Sequence, residues 1–369
     1  MDLNRRIYSL LLLCLLAAGC TYGGGTSSVQ PVLNLTQTPR AFVTPRPTQR
    51  LPFPTERLDS HPLSPLEAVQ PQPAAPTLVP NEAWYRPAAA DVEGLPIGYV
   101  KVINPPAEIY PTLEKAVLHS VVPRHSAVVP TYLSFLQVEN VDGKPFYQVE
   151  PNGWVDGANL EEVHIPTFSG LELDGGIDFA FAWVLEDTSG QNEQGEALNE
   201  PFSRYQVVKI LSESAGRYEV SPGIWLPADK LSLVKPGQAA PKEASSCRWI
   251  QVNLQQQNLL VFDDCMPIFA TLISSGREIG WTETGVYRIY AKLDKHVLTN
   301  PTWNPELEPY YFQDVPWIMY YHSSWALHGV YWHTEFGHPA SHGCVNLSPA
   351  DAHWIFNWAK PSEVVFITE

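Results

Sequence analysis

The stretch "HGVYWHTEFGHPASHGCVNLSPADAHWIFNWA" occupies residues 328–359, and its reading decides the fold of the C-terminal third of the chain. Its second half is a strand-to-helix passage. Ser348 is placed to cap a helix, Pro349 sits in the first turn, and Asp351 follows at the third helical position. Apolar residues 354, 355, 358 and 359 form the buried side of that helix. Cys344 therefore lies on a short strand or turn just ahead of a helix, beside Gly343, which lets the backbone approach a ligand closely. His328 belongs to its own short strand, "WALHG", placed to reach Cys344 across a sheet. A thiol attacks a carbonyl as thiolate, and a neighbouring imidazole can take its proton. The amides of His342, Gly343 and Cys344 can steady an oxyanion. Three other readings stand beside this one. Zinc takes Cys and His ligands, but Pro339 and Gly343 interrupt the helix that would align His338 with His342. His322, His333, His338 and His353 read as packing or hydrogen-bonding groups. Cys344 itself reads equally well as an inert buried thiol.

The cysteine count sharpens the question. There are five: Cys14, Cys20, Cys247, Cys265 and Cys344. "CRWIQVNL" alternates like a strand, "QQQN" turns, and "LLVFDDCMPIFATLISS" returns. A hairpin pivoting near Gln256 brings Cys247 opposite Cys265, and a disulfide there suits an exported protein. Cys344 is then left over in an oxidising compartment, which flags a reactive thiol.

The address comes from the N-terminus. Arg5 and Arg6 precede "IYSLLLLCLLAAG", a run too short for a comfortable membrane span and suited to export. "LAAGC" resembles the bacterial lipoprotein signal, in which the cysteine is lipidated and becomes the first residue of the mature protein; this implies a signal over residues 1–20 with Cys20 as the lipidated residue. An ordinary secretory signal or a short anchor is the other reading. The expectation is an exported, membrane-anchored lipoprotein of the cell envelope, facing the cell wall. Residues 21–94 carry recurrent proline, as in "TPRAFVTPRPTQRLPFPT", and read as an extended tether, or else an arm docked through Trp84 and Tyr85. With a formal net charge of −16 and no basic run, the chain is not read as a nucleic-acid binder. It is read as a monomer with no cofactor and no metal.

High aromatic content (12 Trp, 16 Tyr, 14 Phe) with 35 Pro favours β-rich modules. An internal repeat supports this. "YQVEPNGWVDGANL" (147–160) and "YEVSPGIWLPADKL" (218–231) match at six positions with one offset: Tyr147/Tyr218, Val149/Val220, Pro151/Pro222, Trp154/Trp225, Gly157/Ala228 and Leu160/Leu231. The pattern resembles the end of bacterial SH3-like β-barrels. The fold class expected is mainly β: SH3-like modules at 95–166 and 175–236, a linker at 237–246, and a β-sandwich-like domain with one or two helices at 247–369. The modules are read either as wall-binding units or as spacers.

"SHGCVNLS" closely resembles the signature of the L,D-transpeptidase family (YkuD-type catalytic domain). Here it reads His328-Gly329, eleven further residues, then Ser341-His342-Gly343-Cys344-Val345-Asn346. "SGREIGWTETGVYRIYAKL" (275–293) is similar to the family's glycine-threonine segment, with "TETG" for the commoner "TPTG". The resemblance covers residues 247–369. It implies that Cys344 is the nucleophile acylated by peptidoglycan stem peptides and His328 the proton acceptor and later donor. Gly329 lies where the family's backbone orients that His, while His342 and Gly343 supply oxyanion amides. Tyr311, Ser324, Trp332, Ser341 and Asn346 are expected in the substrate cleft, and the aromatic insert "TNPTWNPELEPYYFQDVPW" as a lid. The implied activity is 3→3 cross-linking, with carbapenems as acylating inhibitors. Water as acceptor would make an L,D-carboxypeptidase, and a protein amine would make a protein-to-peptidoglycan attachment enzyme. A non-catalytic wall-binding lipoprotein is the reading from another class.

Overall fold

The strands of residues 249–272 are mostly apolar, and that pattern is explained by burial on both faces. Ile250, Val252, Leu259 and Val261 point into one core, whereas Trp249, Leu260 and Phe262 point into another. The computed structural model describes residues 84–88, 94–120, 123, 125–127, 130–300 and 309–369. The export signal, Cys14, Cys20 and most of the proline-rich segment lie outside the described residues. Those described fall in one unit of the chain, Val69–Glu369.

Two seven-stranded sheets form the frame. The first runs, in spatial order, Tyr85–Pro87, Leu171–Leu173, Met266–Leu272, Asn258–Asp263, Trp249–Asn253, Val364–Thr368 and Gly285–Arg288. The second runs Val345–Leu347, Trp325–Gly329, Tyr310–His322, Thr131–Phe135, Gly98–Val102 and Leu160–Val163, with Ala291–Asn300 also paired to Tyr310–His322. Between them lies a core of Ile250, Leu259, Phe269, Met319, Leu327, Val345 and Leu347, closed by Ala352 and Ile355 of the helix Pro349–Trp358. That helix has the cap read from its sequence: the Asp351 amide donates to Ser348 Oγ at 3.2 Å, and Pro349 opens the first turn. The architecture is mainly β, as expected. Among the described residues no helix is long and apolar enough to cross a membrane.

Two features depart from the simple strand reading. The run from Leu259 to Ser275 is two strands, broken at Asp264 and Cys265, which both adopt positive φ (49° and 61°). A disulfide joins Cys247 to Cys265 at that turn. Both sheets also recruit strands from outside residues 247–369. Thr131 and Tyr132 pair in parallel with Tyr311 and Phe312, and Leu171 and Glu172 pair with Ala270 and Phe269. Asp314 fastens the first junction, its carboxylate accepting from Ser134 Oγ (2.6 Å) and its carbonyl from Tyr99 OH (3.0 Å). The second junction rests on buried Asp351, which accepts from the Gly170 amide (2.7 Å) and Thr271 Oγ1 (2.6 Å).

The repeated segments share one local structure. Each has two antiparallel strands, a 3-10 turn and a final strand: Lys144–Glu150, Gly153–Asp156, Gly157–Asn159 and Leu160–Val163 in the first copy. The second copy has Arg217–Ser221, Ile224–Pro227, Ala228–Lys230 and Leu231–Val234. Each copy has its own small core, around Val100, Leu133 and Val155 in one and Ala182, Leu226 and Leu231 in the other. The final strand of the first copy lies in the second large sheet. The region 95–166 is thus built into the same sheet as residues 310–347.

Candidate active site

Two short parallel strands carry the candidate groups. Trp325–Gly329 pairs with Val345–Leu347 so that Leu327 faces Val345, His328 faces Asn346 and Gly329 faces Leu347. Leu327, Val345 and Leu347 point into the central core. By the two-residue period of a strand, His328 and Asn346 point to the opposite face, and Cys344, one step before Val345, shares it. With a strand spacing of about 4.8 Å and a rise of about 3.3 Å per residue, Cys344 and His328 are diagonal neighbours on that face.

Desolvation shifts the charge state of both, although Cys344 is half-buried where His328 is buried. His328 is 2% exposed, and desolvation pulls its pKa from 6.5 down to about 4, against the raising effect of the Gly329 carbonyl. Its Nδ1 lies 3.0 Å from that carbonyl, so the neutral ring carries its proton on Nδ1 and leaves Nε2 as a base. Desolvation pushes the Cys344 thiol from 9.0 up to about 11, while the Ala326 amide favours the thiolate. The sulfur also lies 3.9 Å from the Ser324 carbonyl oxygen, which accepts from the thiol. The resting pair is therefore a neutral thiol and a neutral imidazole.

The turn before Cys344 is held by hydroxyls. Gly343 has φ of 133°, and a Cβ there would stand 2.7 Å from the Trp281 carbonyl oxygen and 2.8 Å from Trp325 Nε1, so only glycine fits. Its amide donates to Ser341 Oγ (3.0 Å), and Ser341 Oγ donates to the Cys344 carbonyl (2.6 Å). The Gly343 carbonyl accepts from Thr282 Oγ1 (2.9 Å), which in turn accepts from the Gly276 amide (2.9 Å). In this geometry the Gly343 amide, expected to face an oxyanion, is engaged by Ser341. Ser341, expected in the cleft, is 6% exposed and braces the turn. Thr282 was not singled out by sequence reasoning; the only sign was its place in the "TETG" segment.

Aromatic rings surround the thiol. His342 stacks with Trp281 (centroids 5.5 Å) and Tyr310 (5.3 Å), and Arg277 Nη2 lies 3.5 Å from His342 Nε2. Trp332 stacks on Phe312 (4.1 Å) and stands 6.0 Å from the His328 ring. Burial, and then Cys344, push Tyr310 up to about 12. Tyr311 is a correction to the expected cleft. One residue along the same strand, it faces away and packs against the core of residues 95–166, so Tyr310 occupies the position beside His342. Ser324 and Trp332 do lie near the thiol and the base respectively. The flanks of the proposed lid are paired strands, Thr299 with Tyr311 and Asn300 with Tyr310; residues 301–308 lie outside the described residues. His353 stacks on Trp317 (4.2 Å). Among the described residues no group of three or more His, Cys, Asp and Glu is arranged to hold a metal ion.

The strand pair sets His328 against Asn346, two residues after Cys344, with a glycine turn before it and a capped helix behind it, so a thiol and an imidazole able to act as nucleophile and base lie on neighbouring strands. Residues 248–367 match the family model of the L,D-transpeptidase catalytic domain, YkuD, and this part of the chain is such a domain. Among solved structures, the catalytic domain of the E. faecium L,D-transpeptidase is 23% identical, over 34% of this chain and 99% of that one, with a TM-score of 0.30. The L,D-transpeptidase from Stackebrandtia nassauensis is 26% identical, over 35% of this chain and 58% of that one, with a TM-score of 0.28. A cysteine-to-serine mutant of the Enterococcus faecium L,D-transpeptidase is 16% identical, over 63% of this chain and 86% of that one, with a TM-score of 0.30. Among curated protein sequences none matches this chain.

Proposed function

We propose that the chain is an exported peptidoglycan L,D-transpeptidase that forms 3→3 cross-links through a thioester on Cys344. The observation that carries this reading is the strand register that sets His328 against Asn346, two residues after Cys344, with Nε2 of His328 left unprotonated by the Gly329 contact. Charge separation in the resting site is disfavoured by burial, so the proton leaves sulfur as the carbon–sulfur bond forms. Cys344 Sγ attacks the carbonyl of the third residue of a donor stem tetrapeptide, and its proton passes to His328 Nε2. That step needs the two atoms to close to hydrogen-bond distance as substrate binds. The tetrahedral intermediate collapses, the peptide C–N bond breaks, and the terminal D-alanine leaves with the proton from Nε2. A side-chain amine of a second stem then attacks the thioester and gives its proton to Nε2; sulfur leaves and is reprotonated.

The partners proposed are stem peptides of the wall and, through lipidated Cys20, a membrane. Residues 95–166 and 175–236 are proposed as SH3-like modules that orient the catalytic domain toward its substrate. The test is incubation of the purified protein with disaccharide tetrapeptides, with products read by mass spectrometry. A cross-linked dimer lacking one D-alanine is the expected product, absent with Cys344→Ala. Tripeptide alone would mean carboxypeptidase chemistry. Wall binding with no adduct on the wild-type protein would mean a scaffold.

A further inference from the structure

Half-buried His333 and buried Asn346 form a pair next to the reacting groups that the mechanism above does not use. Asn346 is 2% exposed and faces His328 in the strand register. Its backbone is fixed from both sides, its amide donating to the Ser274 carbonyl (2.9 Å) and its carbonyl accepting from the Ser274 amide (2.9 Å). Its side-chain Nδ2 position lies 2.9 Å from His333 Nε2. The Glu335 backbone amide donates to His333 Nδ1 at 3.1 Å. That contact makes Nδ1 an acceptor, so a neutral His333 carries its proton on Nε2. Desolvation, then His328, then Arg277 hold His333 neutral, with a pKa lowered to about 4. Two donors would then meet at 2.9 Å, while the Asn346 Oδ1 position is buried with no hydrogen-bond partner. Interchanging the two ends of the amide removes the clash of donors: Oδ1 accepts from His333 Nε2–H, and the amide N–H2 becomes the unpaired group at the other position.

We infer that His333 is a positioning residue: it holds the Asn346 amide with oxygen toward itself, so that the N–H2 is presented on the Cys344–His328 face as a donor to a carbonyl oxygen of the bound acyl-donor peptide. This rests on the acyl-transfer reading for the identity of the ligand, but the orientation of the pair does not. Asn346→Asp is the sharpest variant. It keeps an acceptor for His333 Nε2–H and replaces the N–H2 with a second oxygen. His333→Phe removes the orienting donor, and His333→Gln restores an N–H in its place.

The experiment has two arms, both on the full chain. A neutron structure of deuterated protein locates the deuterons on His333 and Asn346. Deuterium on His333 Nε2, with the Asn346 N–D2 directed away from His333 and not spent on a protein oxygen, is expected. Deuterium on Nδ1, or an N–D2 already bonded to a protein carbonyl, overturns the inference. The kinetic arm measures acylation of Cys344 by a disaccharide tetrapeptide. Asn346→Asp and His333→Phe should each lower kcat/KM about 10- to 100-fold, the loss of one buried hydrogen bond, with His333→Gln recovering most of it. Wild-type rates in Asn346→Asp, or equal losses in His333→Phe and His333→Gln, overturn it. Should Asn346→Asp not fold, the His333 pair and the neutron arm decide. A wild-type protein silent toward tetrapeptides would sink the proposed function, and the neutron arm would still judge the pair.

Discussion

If burial holds the resting site neutral, Cys344 should be a poor nucleophile toward reagents that bring no carbonyl into the cleft. Its pKa of about 11, against 9.0 for an ordinary thiol, leaves roughly one thiolate in ten thousand at pH 7, about a hundredfold less than the ordinary thiol. Alkylation by iodoacetamide should therefore be slow at neutral pH and rise about tenfold per pH unit, with a midpoint near 11. His328 stays deprotonated above about pH 4, so His328→Ala should leave this alkylation rate nearly unchanged. The same variant should lower acyl transfer by about 10²- to 10⁴-fold, the usual contribution of a positioned base. Stopped-flow alkylation from pH 5 to 11, with modified Cys344 counted by intact mass, makes the measurement. A plateau that begins below pH 8 and is lost in His328→Ala would mean a preformed thiolate–imidazolium pair, and the neutral-pair account would be wrong.

Other outcomes follow from named contacts. Thr282→Val keeps the volume and removes the hydroxyl between the Gly276 amide and the Gly343 carbonyl; it should cost about 1–3 kcal/mol in urea unfolding and slow acylation of Cys344. Asp351 is raised from 3.8 to about 6, first by desolvation. Its folded form holds a proton that the unfolded chain has released, so stability should fall as pH rises from about 4 to 6 and then level off. Asp351→Asn should flatten that fall, and matching urea curves for the two proteins at pH 4 and 7 would contradict it. Reducing Cys247–Cys265, which closes a separation of 18 residues, should add two hydrogens by mass and lower stability by about 3 kcal/mol.

Local chemistry was readable in the sequence, and long-range pairing was not. The Ser348 cap, Pro349 at the helix start and the glycine before Cys344 each follow from neighbours a few residues away, and each is found in the structure. The sulfur and its proposed base were legible because the motif carries them together. Tyr311 was misplaced by one residue because a strand's facing depends on its register. Here that register is set by Thr131, far upstream in the chain. Thr282 and His333 were passed over for a related reason: a hydroxyl in a loop and a histidine between aromatics have no meaning until Gly343 and Asn346 are brought beside them. The recruitment of upstream strands into both large sheets lay beyond any local pattern, since the repeat at 147–160 and 218–231 looks the same whether its last strand closes a separate barrel or joins a neighbour's sheet.

The central claim is that Cys344 carries the acyl group, and mass analysis of the quenched reaction tests it most directly. Mixed with a disaccharide tetrapeptide and stopped in acid, the protein should gain the mass of the donor less D-alanine. Proteolytic mapping should place that mass on Cys344 alone, and Cys344→Ala should show none. Cross-linked product from a protein that never gains this mass, or an adduct that survives Cys344→Ala, would contradict the account.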